Sequence, residues 1–128
     1  MGLFLLDTTV LVDFSRHREP VYSRLQEMLE GNDEVGVSPI NVTEFFSWFP
    51  PERTAAWVRW LDSLRYWPIS RRAAEQAGAW RYEFARRGVT LSVPDTLITA
   101  VAHELGATLV TDNARHFPMP GLSLLSLR

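Results

Sequence analysis

The stretch MGLFLLDTTVLVDFSR, residues 1–16, predicts how the fold begins. Four apolar residues, Leu3 to Leu6, end abruptly on Asp7, and a short, wholly apolar run is typical of a strand buried on both faces of a parallel sheet. The two threonines that follow can cap a helix that continues the apolar pattern through Phe14. A carboxylate between a buried strand and a helix is either a helix cap or part of a site.

The rest of the chain alternates helical periodicity with short apolar runs. Helices are predicted where apolar residues recur at three- and four-residue spacing, over residues 20–30, 39–49, 52–64, 70–87 and 94–106. Strands are predicted over residues 34–38, 66–69, 107–111 and 122–127. This alternation predicts a single α/β domain over residues 1–128, with a short, mostly parallel central sheet flanked by helices on both faces.

Composition excludes several classes of chemistry. The 128 residues include no cysteine, and all 13 basic residues are arginine, which excludes thiol nucleophiles, Schiff-base lysines and Walker-type phosphate loops. The formal net charge of −2 means that any nucleic-acid contact has to use local arginine clusters. No apolar run reaches the ~18 residues that span a bilayer, and the first residues lack the features of a signal peptide, so we expect a cytoplasmic protein.

Four acids occupy apolar surroundings at strand ends or near helix starts: Asp7, Glu44, Asp95 and Asp112. Ligand sites in parallel sheets lie beyond the carboxyl ends of the strands, so the four are expected to converge on one edge. At ~4 Å, one like-charge pair repels by about 4 kcal/mol at an effective dielectric near 20. Such a group must bind protons or a cation, and oxygen ligands without cysteine favour Mg²⁺ or Mn²⁺. A metal-activated water held there can hydrolyse a phosphodiester.

Each acid taken alone also has a structural explanation. Asp7 could cap the following helix, Asp95 could be an ordinary first-turn acid, Asp112 could form an Asx turn with the next residue, and Glu44 could face solvent. Their recurrence at comparable places is what favours a shared site. Asp13, near the end of the first helix, is expected at the surface.

Four stretches of the chain resemble the PIN-domain family and, within it, the VapC-type toxins of bacterial toxin–antitoxin pairs. They are LLDTTVLVD (5–13), VSPINVTEFF (37–46), VPDTLITAVAHELGATLVTDNARHF (93–117) and PGLSLLSL (120–127). The resemblance implies a PIN-like fold and a magnesium- or manganese-dependent endoribonuclease that cuts transfer or ribosomal RNA. It also implies a homodimer, and assembly with a VapB-type antitoxin that neutralises the enzyme.

The resemblance further implies roles for single residues. Asp7 and Asp95 match the family's metal ligands, and Glu44 matches its glutamate. The fourth family position, two residues after the threonine of the late strand, is Asn113, whereas this chain's acid is Asp112; both stay candidates, and Asp112 is preferred.

Three further residues are assigned supporting parts. Thr9 matches a family hydroxyl that helps to hold the site, and Thr111 is given the same role. Arg115 follows Asp112 closely, so it is a candidate for contact with an RNA phosphate.

Two surface features favour partners. Trp57, Trp60, Trp80 and the Phe45–Phe49 group are more aromatic surface than two helices bury easily, so part of it is expected to be a partner groove or dimer interface. The arginines of the helix over residues 70–87 either contact RNA or an acidic antitoxin segment, or form a solvated face.

Three competing functions share some of these sequence features. A PIN-like module that only binds RNA or protein remains the main alternative, although the complete set of acids argues against it. A response-regulator receiver needs a lysine that this chain lacks. A metal-dependent DNA nuclease would use the same chemistry.

Overall fold

In the computed structural model, which describes residues 2–128, five parallel strands form one sheet in the order β3-β2-β1-β4-β5. The strands are β1 (Leu3–Leu6), β2 (Glu34–Val37), β3 (Arg65–Tyr66), β4 (Thr108–Val110) and β5 (Ser123–Leu125). Every neighbouring pair is parallel, which confirms the predicted α/β class. β1 is the central strand, as its all-apolar sequence predicts.

Six helices connect the strands: α1 (Thr8–Ser15), α2 (Val21–Glu30), α3 (Pro39–Phe46), α4 (Ala55–Asp62), α5 (Arg71–Arg86) and α6 (Val93–Leu105). The helices predicted over residues 39–49 and 52–64 are both shorter in the structure. Pro50 and Pro51 lie between them, and proline lacks an N–H and disfavours helical geometry in the residue before it. The chain therefore passes through a 3₁₀ turn, Pro51–Arg53, before α4 begins. None of the helices in residues 2–128 is long and apolar enough to cross a membrane.

Successive residues of β1 point into two separate cores. Leu5 packs with α5 and α6, against Trp80, Phe84 and Ile98, whereas Leu6 packs on the opposite face with α1, α2 and α3. This follows from the two-residue period of a strand. The sheet is therefore covered on both faces, and only its carboxyl edge is left for a polar site.

Three helix N-termini lie at or near that edge. Asp7 caps α1 directly after β1, and Ser38 caps α3 directly after β2, where its side chain forms a capping box with Asn41. Ser92 caps α6 through a 3.1 Å bond from the amide of Asp95 to its hydroxyl. Each N-terminus offers partial positive charge, which favours carboxylates in the first turn.

Candidate active site

Asp7 is buried at the carboxyl end of β1, and three hydrogen bonds hold its carboxylate. Oδ1 accepts from the backbone N–H of Thr8 at 2.8 Å, which makes Asp7 the N-cap of α1. Oδ2 accepts from the hydroxyl of Thr111 at 2.8 Å and from that of Thr9 at 3.4 Å. A carboxylate accepts about four such bonds, so Asp7 caps the helix and retains acceptor capacity for a ligand.

Glu44 and Asp95 approach Asp7 from two other helices. Glu44, on α3, accepts a 2.7 Å bond through Oε1 from the hydroxyl of Thr8. Asp95, in the first turn of α6, has Oδ2 at 3.9 Å from Nδ1 of His116. The negative charges of Asp95 and Glu44 both act on Asp7, so the fold brings these three acids of the predicted site together.

The pKa of Asp7 lies above its ordinary value. Burial is the main cause, because it disfavours the charged form, and the nearby charges of Asp95 and Glu44 add to the rise. The hydrogen bonds from Thr111 and Thr8 act in the opposite direction. Among residues 2–128, no arginine lies within salt-bridge distance of these three acids, so the fold supplies no permanently charged cation to balance them.

The donor set suits a hard divalent cation. All the ligand atoms are carboxylate oxygens, and their like charges are not balanced by the chain, which a cation would correct. Within the described residues, no three Asp, Glu, His or Cys side chains are assembled as a ready-made metal cage. Mg²⁺ is usually bound by only one or two carboxylates and keeps several waters, so such a cage is not required.

Thr111 connects the end of β4 to Asp7. Its hydroxyl donates to Asp7 and accepts a 3.0 Å bond from the backbone N–H of Asn113. Asn113 is therefore linked to the site through one hydroxyl. Thr9 makes the longer of the two hydroxyl contacts with Asp7, at 3.4 Å.

Asp112 lies beside this chain of bonds but makes its contacts elsewhere. Its Oδ1 accepts a 2.9 Å bond from Ser126, and its Oδ2 lies 3.2 Å from Nε of Arg128. The second contact is an ion pair and not a hydrogen bond, because its angular geometry is too poor. Only 2% of the Asp112 side chain is exposed. Its carboxylate is thus engaged by the C-terminal segment.

Asp13 corrects one expectation, since it is buried and not at the surface. Its Oδ2 accepts a 3.0 Å bond from Nη2 of Arg128, and Arg18 lies 3.5 Å from its other oxygen. Arg128 therefore joins Asp13 to Asp112, and the pKa of its guanidinium is raised, first by the hydrogen bond to Asp13 and then by the charge of Asp112. The helical period of α1 does not reveal this burial, because the partner lies 115 residues away.

Arg115 and His116 belong to a 3₁₀ turn, Ala114–His116, that follows β4. Together with Asp95 they line a cavity of about 250 Å³. The hydrogen bond from Thr8 to Glu44 and the position of His116 beside Asp95 were not predicted from the sequence. The position of Thr8 directly after Asp7 is the one signal in the sequence that would have suggested its role.

The aromatic residues divide between a core and a groove. Trp80 is buried between α5 and α6, so it is not part of a partner surface. A groove of about 270 Å³ opens between α3, α4 and the β3 edge of the sheet; its apolar lining is Val37, Val42, Phe46, Val58, Leu61, Leu64 and Tyr66. Trp57 and Trp60 are partly buried behind it.

Comparison with known proteins identifies the family. The model of the PIN domain matches residues 4–120. The chain is 30% identical over 117 residues to ribonuclease VapC19 of Mycobacterium tuberculosis, which covers 90% of this chain and 92% of that protein.

Solved structures agree with this match. The DNA-bound VapBC of Salmonella typhimurium superposes with a TM-score of 0.82 at 27% identity, over 100% of both chains. VapBC2 of Rickettsia felis, bound to a DNA fragment of its promoter, has a TM-score of 0.82 at 24% identity over 97% of this chain and 98% of that one, and shows the same fold. The chain therefore belongs to the PIN-domain family and is a relative of the VapC ribonucleases.

Proposed function

We propose that this protein is the toxin of a toxin–antitoxin pair and a cytoplasmic endoribonuclease that depends on Mg²⁺, with Mn²⁺ as a substitute. The observation that carries the proposal is the convergence of Asp7, Glu44 and Asp95 without a balancing arginine among residues 2–128. The relationship to ribonuclease VapC19 supports RNA as the substrate. Transfer or ribosomal RNA is the expected target.

In the proposed mechanism, Asp7 and Asp95 would hold the metal, directly or through water, and Glu44 would orient the attacking water or add a ligand. The chemistry that a divalent ion would supply there is a lower pKa of the attacking water and neutralisation of the charge that develops on the phosphate. The hydroxyl of Thr111 keeps Oδ2 of Asp7 in place. Thr8 does the same for Glu44 through its 2.7 Å bond.

Asp112 and Asn113 have different parts in this proposal. The Asp112 carboxylate contacts Ser126 and Arg128, so its contribution is to anchor the segment that follows β4. Asn113, bonded to the Thr111 hydroxyl through its backbone, is the better candidate for the fourth site position.

Arg115 is proposed to contact an RNA phosphate near Asp95, since both line one cavity. Each phosphate contact contributes about 0.7 to the salt dependence of binding to a single strand. Replacement by alanine should reduce the slope of log Kd against log salt by about that amount. An unchanged slope would remove Arg115 from the phosphate contacts.

The apolar groove between α3 and α4 is proposed to receive a segment of a VapB-type antitoxin, in a complex that contains a homodimer of this chain. Two solved relatives are VapBC complexes, which supports a partner of this kind. Val58→Asp should abolish neutralisation by the cognate partner and leave cleavage intact, because Val58 lies in the groove lining. Growth arrest with and without the co-expressed partner gives the readout, and light scattering gives the mass of the assembly.

Matched RNA and DNA substrates, incubated with Mg²⁺ and with EDTA, test the catalytic proposal. Cleavage of RNA that requires Mg²⁺ supports it. Preferential cleavage of DNA would make the protein a DNA nuclease, and binding without cleavage of either would make it a PIN-like binding module.

A further inference from the structure

The cavity beside Asp95 has two kinds of wall. It is formed by the connection between α5 and α6 on one side and by the 3₁₀ turn after β4 on the other; its lining includes Val89, Leu91, Ser92, Asp95, Arg115 and His116. Val89 and Leu91 supply apolar surface, and the other four supply charge or hydrogen-bonding groups. At about 250 Å³ it is slightly smaller than the 300–1,000 Å³ of typical drug-sized sites, a volume that suits one nucleobase.

Three arginines precede the lining residues of this cavity along the chain, a fourth belongs to the lining, and none of the four has an acidic partner in the described part of the chain. Arg81, Arg86 and Arg87 lie on the last turns of α5 or directly after it, and Arg115 lies in the 3₁₀ turn. Among residues 2–128, none of the four has a carboxylate within salt-bridge distance. An anionic ligand would supply the charge that the chain does not.

Two of these arginines are supported by aromatic rings, and a third by the backbone. The Arg86 guanidinium lies 4.5 Å from the ring centre of Tyr82, which is 63% exposed, and Arg87 lies 4.2 Å from that of Phe84. Nε of Arg81 donates a 2.9 Å bond to the carbonyl of Leu91, a residue of the cavity wall. Arginines held in this way beside an exposed ring are a common surface for single-stranded nucleic acid.

We infer that the cavity beside Asp95 binds one unstacked nucleotide adjacent to the scissile phosphate of single-stranded RNA, and that Arg81 contacts the phosphate backbone next to it. The inference rests on the proposed ribonuclease function and adds to it the form of the substrate and the residues that select it. A base can enter such a cavity only when it is splayed out of a stack, so a loop or single strand is bound and an intact duplex is not.

A binding experiment tests the inference without cleavage. Full-length Asp7→Asn protein is titrated with a labelled single-stranded RNA of about ten nucleotides, and binding is followed by fluorescence anisotropy over a range of salt. Adding Arg81→Gln should weaken binding by about 5–10-fold and lower the salt slope by about 0.7. Arg72→Gln is the matched control, because Arg72 is on the same helix, is also exposed and also lacks an acidic partner among the described residues; it should change affinity by less than about twofold.

A cleavage experiment tests the cavity itself. Removing single bases from an RNA substrate should raise KM by about 10-fold at one position next to the cut, because stacking of one base contributes roughly 1–3 kcal/mol. Val89→Asp places a carboxylate on the wall at a residue that is 41% exposed, so folding tolerates it. In this variant KM should rise more than kcat falls, and the abasic penalty at that position should disappear.

Three outcomes overturn the inference. The first is an equal loss of RNA affinity in Arg81→Gln and Arg72→Gln. The second is an abasic penalty on KM that Val89→Asp leaves unchanged. The third is equal affinity of the protein for duplex and single-stranded RNA. If Arg81→Gln left RNA affinity unchanged, as in the first outcome, but weakened binding of polyglutamate in the same assay, the surface would be assigned to an acidic protein. Absence of metal-dependent cleavage by the wild-type protein refutes the proposed function, whereas the binding experiment can still succeed or fail independently.

Discussion

Two groups of acids in this molecule differ in how their charge is balanced. Asp13 and Asp112 are buried, but Arg128 contacts both, at 3.0 Å and 3.2 Å. The charges of Glu44 and Asp95 act on Asp7, and in the described chain the one basic group within salt-bridge distance of these three acids is His116, 3.9 Å from Asp95. The same fold thus pairs each acid of the first group with an arginine and leaves the second group without one.

The difference separates acids that stabilise the fold from those of the proposed site. Burying a carboxylate costs several kcal/mol unless a partner compensates, so an unbalanced group persists only where it serves something other than stability. The Arg128 group ties the C-terminal segment to α1 and to the end of β4. The Asp7 group has the arrangement expected of a site that receives a cation from solution.

The largest expected effect comes from Asp7→Asn, which should reduce cleavage by well over 100-fold, since loss of even an outer partner of a metal ligand costs about 10–100-fold. Single-turnover cleavage of labelled RNA in Mg²⁺ measures it. Asp112→Asn is the matched control and should retain activity within about fivefold, because its carboxylate contacts Arg128. Equal losses in the two variants would make Asp112 a catalytic acid and break the comparison.

Arg128→Met should lower the free energy of unfolding by about 1–3 kcal/mol, because Asp112 loses its ion-pair partner and Asp13 keeps only Arg18, while Arg128 itself is 58% exposed. Urea unfolding measures this change. Arg65→Met is the matched control, since Arg65 is 61% exposed but pairs with Glu34, which is 38% exposed and so far less buried than Asp13 or Asp112. Its effect should stay below about 1 kcal/mol. Adding Asp13→Asn and Asp112→Asn should restore the stability of Arg128→Met, and no rescue would contradict the assignment.

Thr111→Val should reduce cleavage by roughly 3–10-fold and weaken Mg²⁺ binding, because it removes the hydroxyl that orients Asp7 and accepts from Asn113. The variant is nearly isosteric, so the fold should be kept. Calorimetric titration with Mg²⁺ and the cleavage rate are the two readouts. Thr108→Val, at the start of β4, is the control; an equal loss in both variants would indicate a packing effect.

The smallest effect concerns pH. Because burial raises the pKa of Asp7 above 3.8, the folded state favours its protonated form. This stabilisation is present in full below the pKa that Asp7 has in the unfolded chain. It is lost as the pH rises through the raised pKa of Asp7 in the folded state. In EDTA, therefore, the stability of wild type relative to Asp7→Asn should decline between about pH 4 and the raised pKa. If the stability of the two proteins changed in parallel with pH, the folded state would not raise the pKa of Asp7.

Much of the fold and part of the candidate site could be predicted from sequence. The apolar run of β1, the alternation of strands and helices, and the two prolines before α4 act locally, so they are readable without coordinates. Asp7, Glu44 and Asp95 were predicted for one edge because strand ends and helix starts meet there in a parallel sheet. Asp112 lies after the end of β4, where the two-residue alternation of the strand no longer applies. The sequence therefore could not predict that its side chain faces Arg128.

The sequence alone determined the α/β class, the central strand that ends on Asp7, and the absence of lysine and cysteine, because each depends on local pattern or residue count. The tertiary structure decided which acids remain without a partner. Arg128 meets Asp13 across 115 residues, and Thr111 meets Asp7 across 104. Such contacts depend on where the packed strands and helices place distant side chains, so charge balance at the site is a property of the folded chain.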